Sequence, residues 1–148
     1  MPMIFEHIDK IARDKKRDVV FAVFHADMGD TSAISNLLSA IATQDLDWQD
    51  LTIRKQLIEM LDAEGIDWQP CGSIANENMM CGYYGQIYID TPLAPSDPNY
   101  QKVLAYLETS DGKMRYPNVT FCVLQLSTAM ENAHHDEPGF WQHWAEKF

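Results

Sequence analysis

Val19-Val20-Phe21-Ala22-Val23-Phe24 and Val119-Thr120-Phe121-Cys122-Val123-Leu124-Gln125-Leu126 are the stretches that decide the fold. Both are rich in β-branched and aromatic residues and too short for a buried helix, so they read as strands. Neither alternate row of the first is polar, and the second is apolar at nearly every position. Strands of that kind are covered on both faces.

Upstream, Ile4, Ile8 and Ile11 recur on one stripe with Phe5 and Ala12 beside them, which predicts an amphipathic helix with its charges on the other side. Downstream, Ala26 to Asp30 form a turn, and Asp30 or Thr31 can cap a helix carrying Ile34, Leu37, Leu38 and Ile41. A further helical stretch runs from about Leu51 to Glu64, with Leu51, Ile58 and Leu61 inward and Leu57 beside them, and Gly65-Ile66 as its stop. One kinked helix or two over residues 31–64 remain alternatives.

Residues 67–74 read as an irregular strand that Pro70 places at an edge or bulge. Residues 82–90 alternate, with Gly85, Ile87 and Ile89 on one face and Tyr84, Gln86 and Tyr88 on the other. Asp97-Pro98 starts a helix with Tyr100, Val103, Leu104 and Leu107 inward. The tail from Ser127 is helical in character, broken near Pro138-Gly139 and resumed by Phe140, Trp141, Trp144 and Phe148.

Without its terminal helices the order is βαββαβ. The expected fold is therefore α+β: a ferredoxin-like sandwich with a mixed antiparallel sheet and extra N-terminal and C-terminal helices, in one globular domain over residues 1–148. The apolar second face requires cover from those extra helices or from a second subunit. The alternative, a wound α/β sheet, needs longer crossovers than the seven residues between Ile74 and Gly82 allow.

Eleven Lys and Arg against twenty-two Asp and Glu leave a formal charge of −11. Direct nucleic-acid binding is not expected, because it needs a cationic track along phosphates. Five of the cations, Lys10, Arg13, Lys15, Lys16 and Arg17, fall in the first seventeen residues and read as the solvated face of the first helix. No apolar run reaches the length of a membrane span, and Met1 to Glu6 lack the plan of a secretory signal. Three cysteines without a Cys-x-x-Cys pair fit a reducing cytoplasm, although Cys71 and Cys81 could meet across a hairpin.

Four groups bear chemistry. His25, Asp27 and Asp30 lie between the first strand and a helix, where an acid–base pair or a cation site could form; the plainer reading is a turn and a cap. Cys81 is a nucleophile candidate if His25 and Asp27 reach it, since a reactive thiol needs a base and a lowered pKa. His134, His135 and His143 have the side chains of metal ligands but not a zinc-site spacing, and they read first as a solvated helix end. Met79, Met80, Tyr84, Tyr88, Trp141 and Trp144 are soft or aromatic residues suited to a partner contact. For the last two the first reading is docking of the C-terminal helix over the sheet, with the partner or dimer contact second.

The leading expectation is a small acidic cytoplasmic binding or regulatory protein, not an enzyme, that engages a protein partner bearing a basic surface. It would need no cofactor, and a homodimer stays open. The alternative is a small-molecule enzyme or ligand-binding domain built on the His25–Asp30 turn.

Overall fold

Val19–Phe24 pairs with a strand on each side and lies inside the sheet of the computed structural model, its Val20, Ala22 and Phe24 row fully buried; the structure describes residues 5–25, 51–76, 78 and 83–147. The strands are β1 (Val19–Phe24), β2 (Trp68–Pro70), β3 (Ile87–Ile89) and β4 (Val119–Leu124), in the order β2-β3-β1-β4. Ala22 of β1 faces Ile87 and Val20 faces Ile89, while Val19 faces Leu124 and Phe24 faces Val119. Every pairing is antiparallel, β2 with β3 included. The class is α+β. The wound sheet is overturned, because it requires adjacent parallel strands, and the sheet is uniformly antiparallel.

β2 and β3 are shorter than the alternation over 67–74 and 82–90 suggests. Pro70, which has no amide to donate, is the last residue of β2. Gly85 takes a left-handed φ of +85°, which breaks the extended run just before β3.

One face of the sheet carries α2 (Thr52–Ala63) and α3 (Pro98–Leu107). Val20, Ala22, Phe24, Ile87 and Ile89 pack there against Ile53, Leu57, Leu61, Val103 and Leu107. The inner stripe of α2 therefore centres on Ile53, Leu57 and Leu61, with Leu51 and Ile58 only partly buried. At the end of α2, Gly65 adopts φ +69° and the Ile66 amide donates back to the Leu61 carbonyl at 2.9 Å. At the start of α3, Asp97 accepts from the Tyr100 amide at 3.0 Å, with Pro98 in the first helical position. The turn and helix expected over residues 26–50 lie outside the described residues.

The other face is packed by α1 (Ile8–Lys15) and α4 (Leu126–Met130). Ile8, Ile11 and Ala12 meet Val19, Leu124, Cys71, Tyr88 and Ala129. A buried ionic cluster fixes this layer. Arg13, 8% exposed, donates to both carboxylate oxygens of Asp136 at 2.7 and 2.9 Å, to Asp9 at 2.9 Å and to the Ala129 carbonyl at 2.9 Å. Asp9, fully buried, also accepts from the Ala75 amide at 2.9 Å and the Asn132 side chain at 3.1 Å. The basic strip is thus not simply a solvated face, and Arg13 is one of its interior members.

Burial alone would push the Asp9 carboxyl up, but the bonds from Ala75, Arg13 and Asn132 outweigh it and hold the group below its ordinary 3.8. Hydrogen bonding to Arg13 likewise lowers Asp136. For groups lowered in the folded state, the stabilisation is complete above the unfolded value and is lost as pH falls through the folded one. Urea unfolding should show this: stability falls in acid below the ordinary carboxylate range, and Asp136→Asn flattens that fall. At neutral pH, Arg13→Ala strands the Asp9 charge and costs about 3 kcal/mol. Lys10→Ala removes only an exposed pair with Asp14 and changes stability by less than about 0.5 kcal/mol.

Candidate interaction surface

The short helices α1 and α4 cover only part of their sheet face. Beyond them an open groove of about 510 Å³ is lined by Phe21, Val23, His25, Ser73, Ile74 and Tyr84, together with Phe24 and Gln86. Ile74 is 43% and Tyr84 52% exposed, and both are large apolar groups. Polar atoms nearby are satisfied locally. The Gln86 side chain accepts from the Tyr84 amide at 2.6 Å and donates to the Ser73 hydroxyl at 2.8 Å. With its polar groups occupied, the groove can bury apolar side chains of a partner.

His25 stands exposed on the rim, its Nε2 3.0 Å from the Thr120 hydroxyl. Asp27, Met79, Met80 and Cys81 lie outside the described residues, so the proposed Cys81–His25–Asp27 grouping and the methionine contact fall there too. Of the other cysteines, Cys71 is a free thiol that burial pushes up to about 12, and Cys122 is also raised by burial. Such thiols are protonated and inert at neutral pH.

The two tyrosines expected at a contact surface divide. Tyr84 is exposed, whereas Tyr88 is 2% exposed. The Tyr88 hydroxyl donates to Asp90 at 2.8 Å and accepts from Arg17 at 3.2 Å, and Arg17 itself reaches Asp90 at 2.6 Å. Burial pushes Tyr88 up to about 12. Tyr88 is thus a buried structural side chain and not part of the exposed surface.

At the C-terminus, α5 (Phe140–Ala145) has no fully buried residue and packs on the 3-10 turn Ala133–Asp136. Trp141 lies 4.8 Å from the His135 ring, 5.5 Å from His7 and 5.6 Å from Trp144. His135 is 4% exposed and packs against Phe140, so it belongs to this aromatic cluster and not to a solvated helix end. His134 packs edge-on against His135 at 4.4 Å, while His143 is exposed 3.6 Å from Glu146. Among the described residues no three His, Cys, Asp or Glu side chains are grouped to hold a metal ion. Among them also, no helix is long and apolar enough to cross a membrane.

Sequence reasoning missed the internal use of the cations. Besides Arg13 and Arg17, Arg54 is 6% exposed and donates to the Gly85 carbonyl at 2.8 Å and the Tyr83 hydroxyl at 2.8 Å. All eleven Lys and Arg lie within the described residues, and Lys10, Lys15 and Lys102 pair with carboxylates of the same chain. A sequence signal existed only for Arg54, which shares a helical stripe with Leu51, Leu57 and Ile58; Arg13 is surrounded at helical spacing by Asp9, Lys10, Lys16 and Arg17 and offered none. No family model, curated protein or solved structure matches the chain.

This division of the tyrosines is measurable by chemical denaturation. Tyr88→Phe, which strips the hydroxyl from between Arg17 and Asp90, should cost about 1.5 kcal/mol. Tyr84→Ala should change stability by less than about 0.5 kcal/mol.

Proposed function

We propose that this chain is a non-catalytic binding or regulatory protein of the cytoplasm that engages a protein partner through its surface. Its acidic body meets a basic face of the partner, and the sheet-face groove takes an apolar side chain from it. The observation carrying this reading is a groove with no Asp, Glu, Lys or Arg among its described lining residues, edged by exposed Ile74 and Tyr84, on a chain of net charge −11 in which Arg13 and Arg54 are buried. Charge of that kind speeds capture of a cationic surface, while apolar contact slows release.

The strand order β2-β3-β1-β4 with three antiparallel pairings supports a ferredoxin-like sandwich, in which α1 and the C-terminal helices are additions. In that reading the additions leave part of one face free for recognition. A homodimer is the competing use of the face. A second reading, a small-molecule site, is favoured by the groove's size and by His25 on its rim.

Affinity capture from cytoplasmic extract tests the proposal, with wild type, Ile74→Asp and Tyr84→Ala compared at low and moderate salt. A protein recovered by wild type should be lost as salt rises, and each variant should bind it at least about tenfold more weakly with an unchanged melting temperature. Equal recovery by the variants, or capture insensitive to salt, rejects the reading.

A further inference from the structure

The two edges of the sheet are treated differently by the rest of the chain. Beside β2, Pro70 removes a donor, and the following residues are already occupied: the Gly72 amide donates to the Glu6 carbonyl at 2.8 Å and the Ile8 amide to the Gly72 carbonyl at 3.1 Å. β4 is the other edge, six residues long, with no charge, proline or glycine in it. Proteins usually blunt such an edge with lysine, proline or a bulge, because its free amides accept further strands.

The phase of the β1–β4 ladder identifies those amides. The His25 amide donates to the Asn118 carbonyl at 2.8 Å, which makes this pair a hydrogen-bonded one. Bonding then alternates, so Thr120, Cys122 and Leu124 bond toward β1, and Val119, Phe121 and Val123 direct N–H and C=O outward. Among the described residues no strand or bridge pairs with that outer side. The Val123 side chain is 44% exposed. Phe121 stands 6.2 Å from Tyr100 of α3, and Leu104, one helical turn on, is only partly buried. An apolar shelf therefore runs beside the open edge.

We propose that the outer edge of β4 accepts an extended segment of a partner protein as a fifth strand, a segment with alternate apolar residues over the shelf and lysine or arginine at its flanks. Charge selects this occupant over a second copy. Another chain of net charge −11 is repelled, whereas cationic flanks are attracted to a body whose own cations are largely engaged internally. The proposal rests on the reading of the protein as an acidic partner for a basic surface and adds a second contact to it, at the sheet edge and on the face opposite the groove.

The test uses the full chain and synthetic peptides with an alternating valine–threonine core, flanked by paired lysines or by paired glutamates. The lysine-flanked peptide should bind, and about tenfold more weakly when salt rises from about 50 to about 300 mM. Amide exchange followed by NMR should slow at least about tenfold at Phe121 and Val123 on binding, with Thr120 and Cys122 unchanged. N-methylation of alternate peptide amides should abolish binding. Val123→Pro should do the same, since the amide it removes is outside the β1 ladder. Absence of binding overturns the proposal. Salt-sensitive binding with protection away from Phe121 and Val123 overturns the edge as the site while leaving the broader acidic-surface reading intact. Equal binding of the glutamate-flanked peptide overturns the cationic choice of partner. A doubled mass in sedimentation that grows with salt assigns the edge to a second copy and also overturns it.

Discussion

Arg13 holds together the half of the molecule that distinguishes it from a plain two-layer sandwich. A guanidinium taken from water costs several kcal/mol unless its donors are met. Here Nε, Nη1 and Nη2 all find oxygen partners, on Asp136, Asp9 and the Ala129 carbonyl. These partners come from separate parts of the chain: Asp9 from α1, Ala129 from α4 after β4, and Asp136 from the 3-10 turn. Asp9 extends the cluster to Ala75, a few residues past β2. One buried charge thus ties the N-terminal helix to chain that leaves both edge strands.

That clamp also sets where coverage stops. α1 spans eight residues and α4 five, so their combined footprint cannot reach across the whole sheet face. Val19 and Leu124, at one end of the paired strands, are buried beneath them. Toward the other end Phe21 and Val23 are only partly buried and line the groove. The apolar row of β1 is continuous, but its cover is not. An open apolar surface is therefore a consequence of short helices over a long strand, and it does not require a separate structural device.

The same contrast explains what could be read from the residues. β1, β4 and the start of α3 were legible because their signals are local: apolar runs of β-branched residues, and Asp97 before Pro98. The edge position of β2 followed from Pro70, which has no amide to give a second neighbour. Long-range pairing was not legible. Asp9 and Arg13 look like an ordinary solvated i, i+4 pair until Ala75, Asn132 and Asp136 arrive, the last 123 residues away from Arg13. Tyr88 shares a parity with exposed Tyr84, yet Arg17 and Asp90 satisfy its hydroxyl under α1. His135 became interior only through Phe140 and Trp141, across a Pro-Gly break that disrupts helical periodicity. Of the groove, Tyr84 and His25 were singled out from sequence. Ile74 and Ser73 join them through the tertiary fold.

Net acidity by itself is weak grounds for a binding role, since charge also serves solubility. The disposition of the charges strengthens the argument. Arg13, Arg17 and Arg54 spend their donors on the same chain, and several lysines lie beside carboxylates. The cations hold helices and loops in place, and the unmatched carboxylates are left to shape the field outside. Among the described residues, neither β4 nor the lining of the sheet-face groove includes a carboxylate. In the proposed binding role, long-range attraction and short-range contact fall to different parts of the surface. A cationic partner can be drawn in by the first without having to desolvate an ion pair in the second, which removes the main cost of making a charged interface.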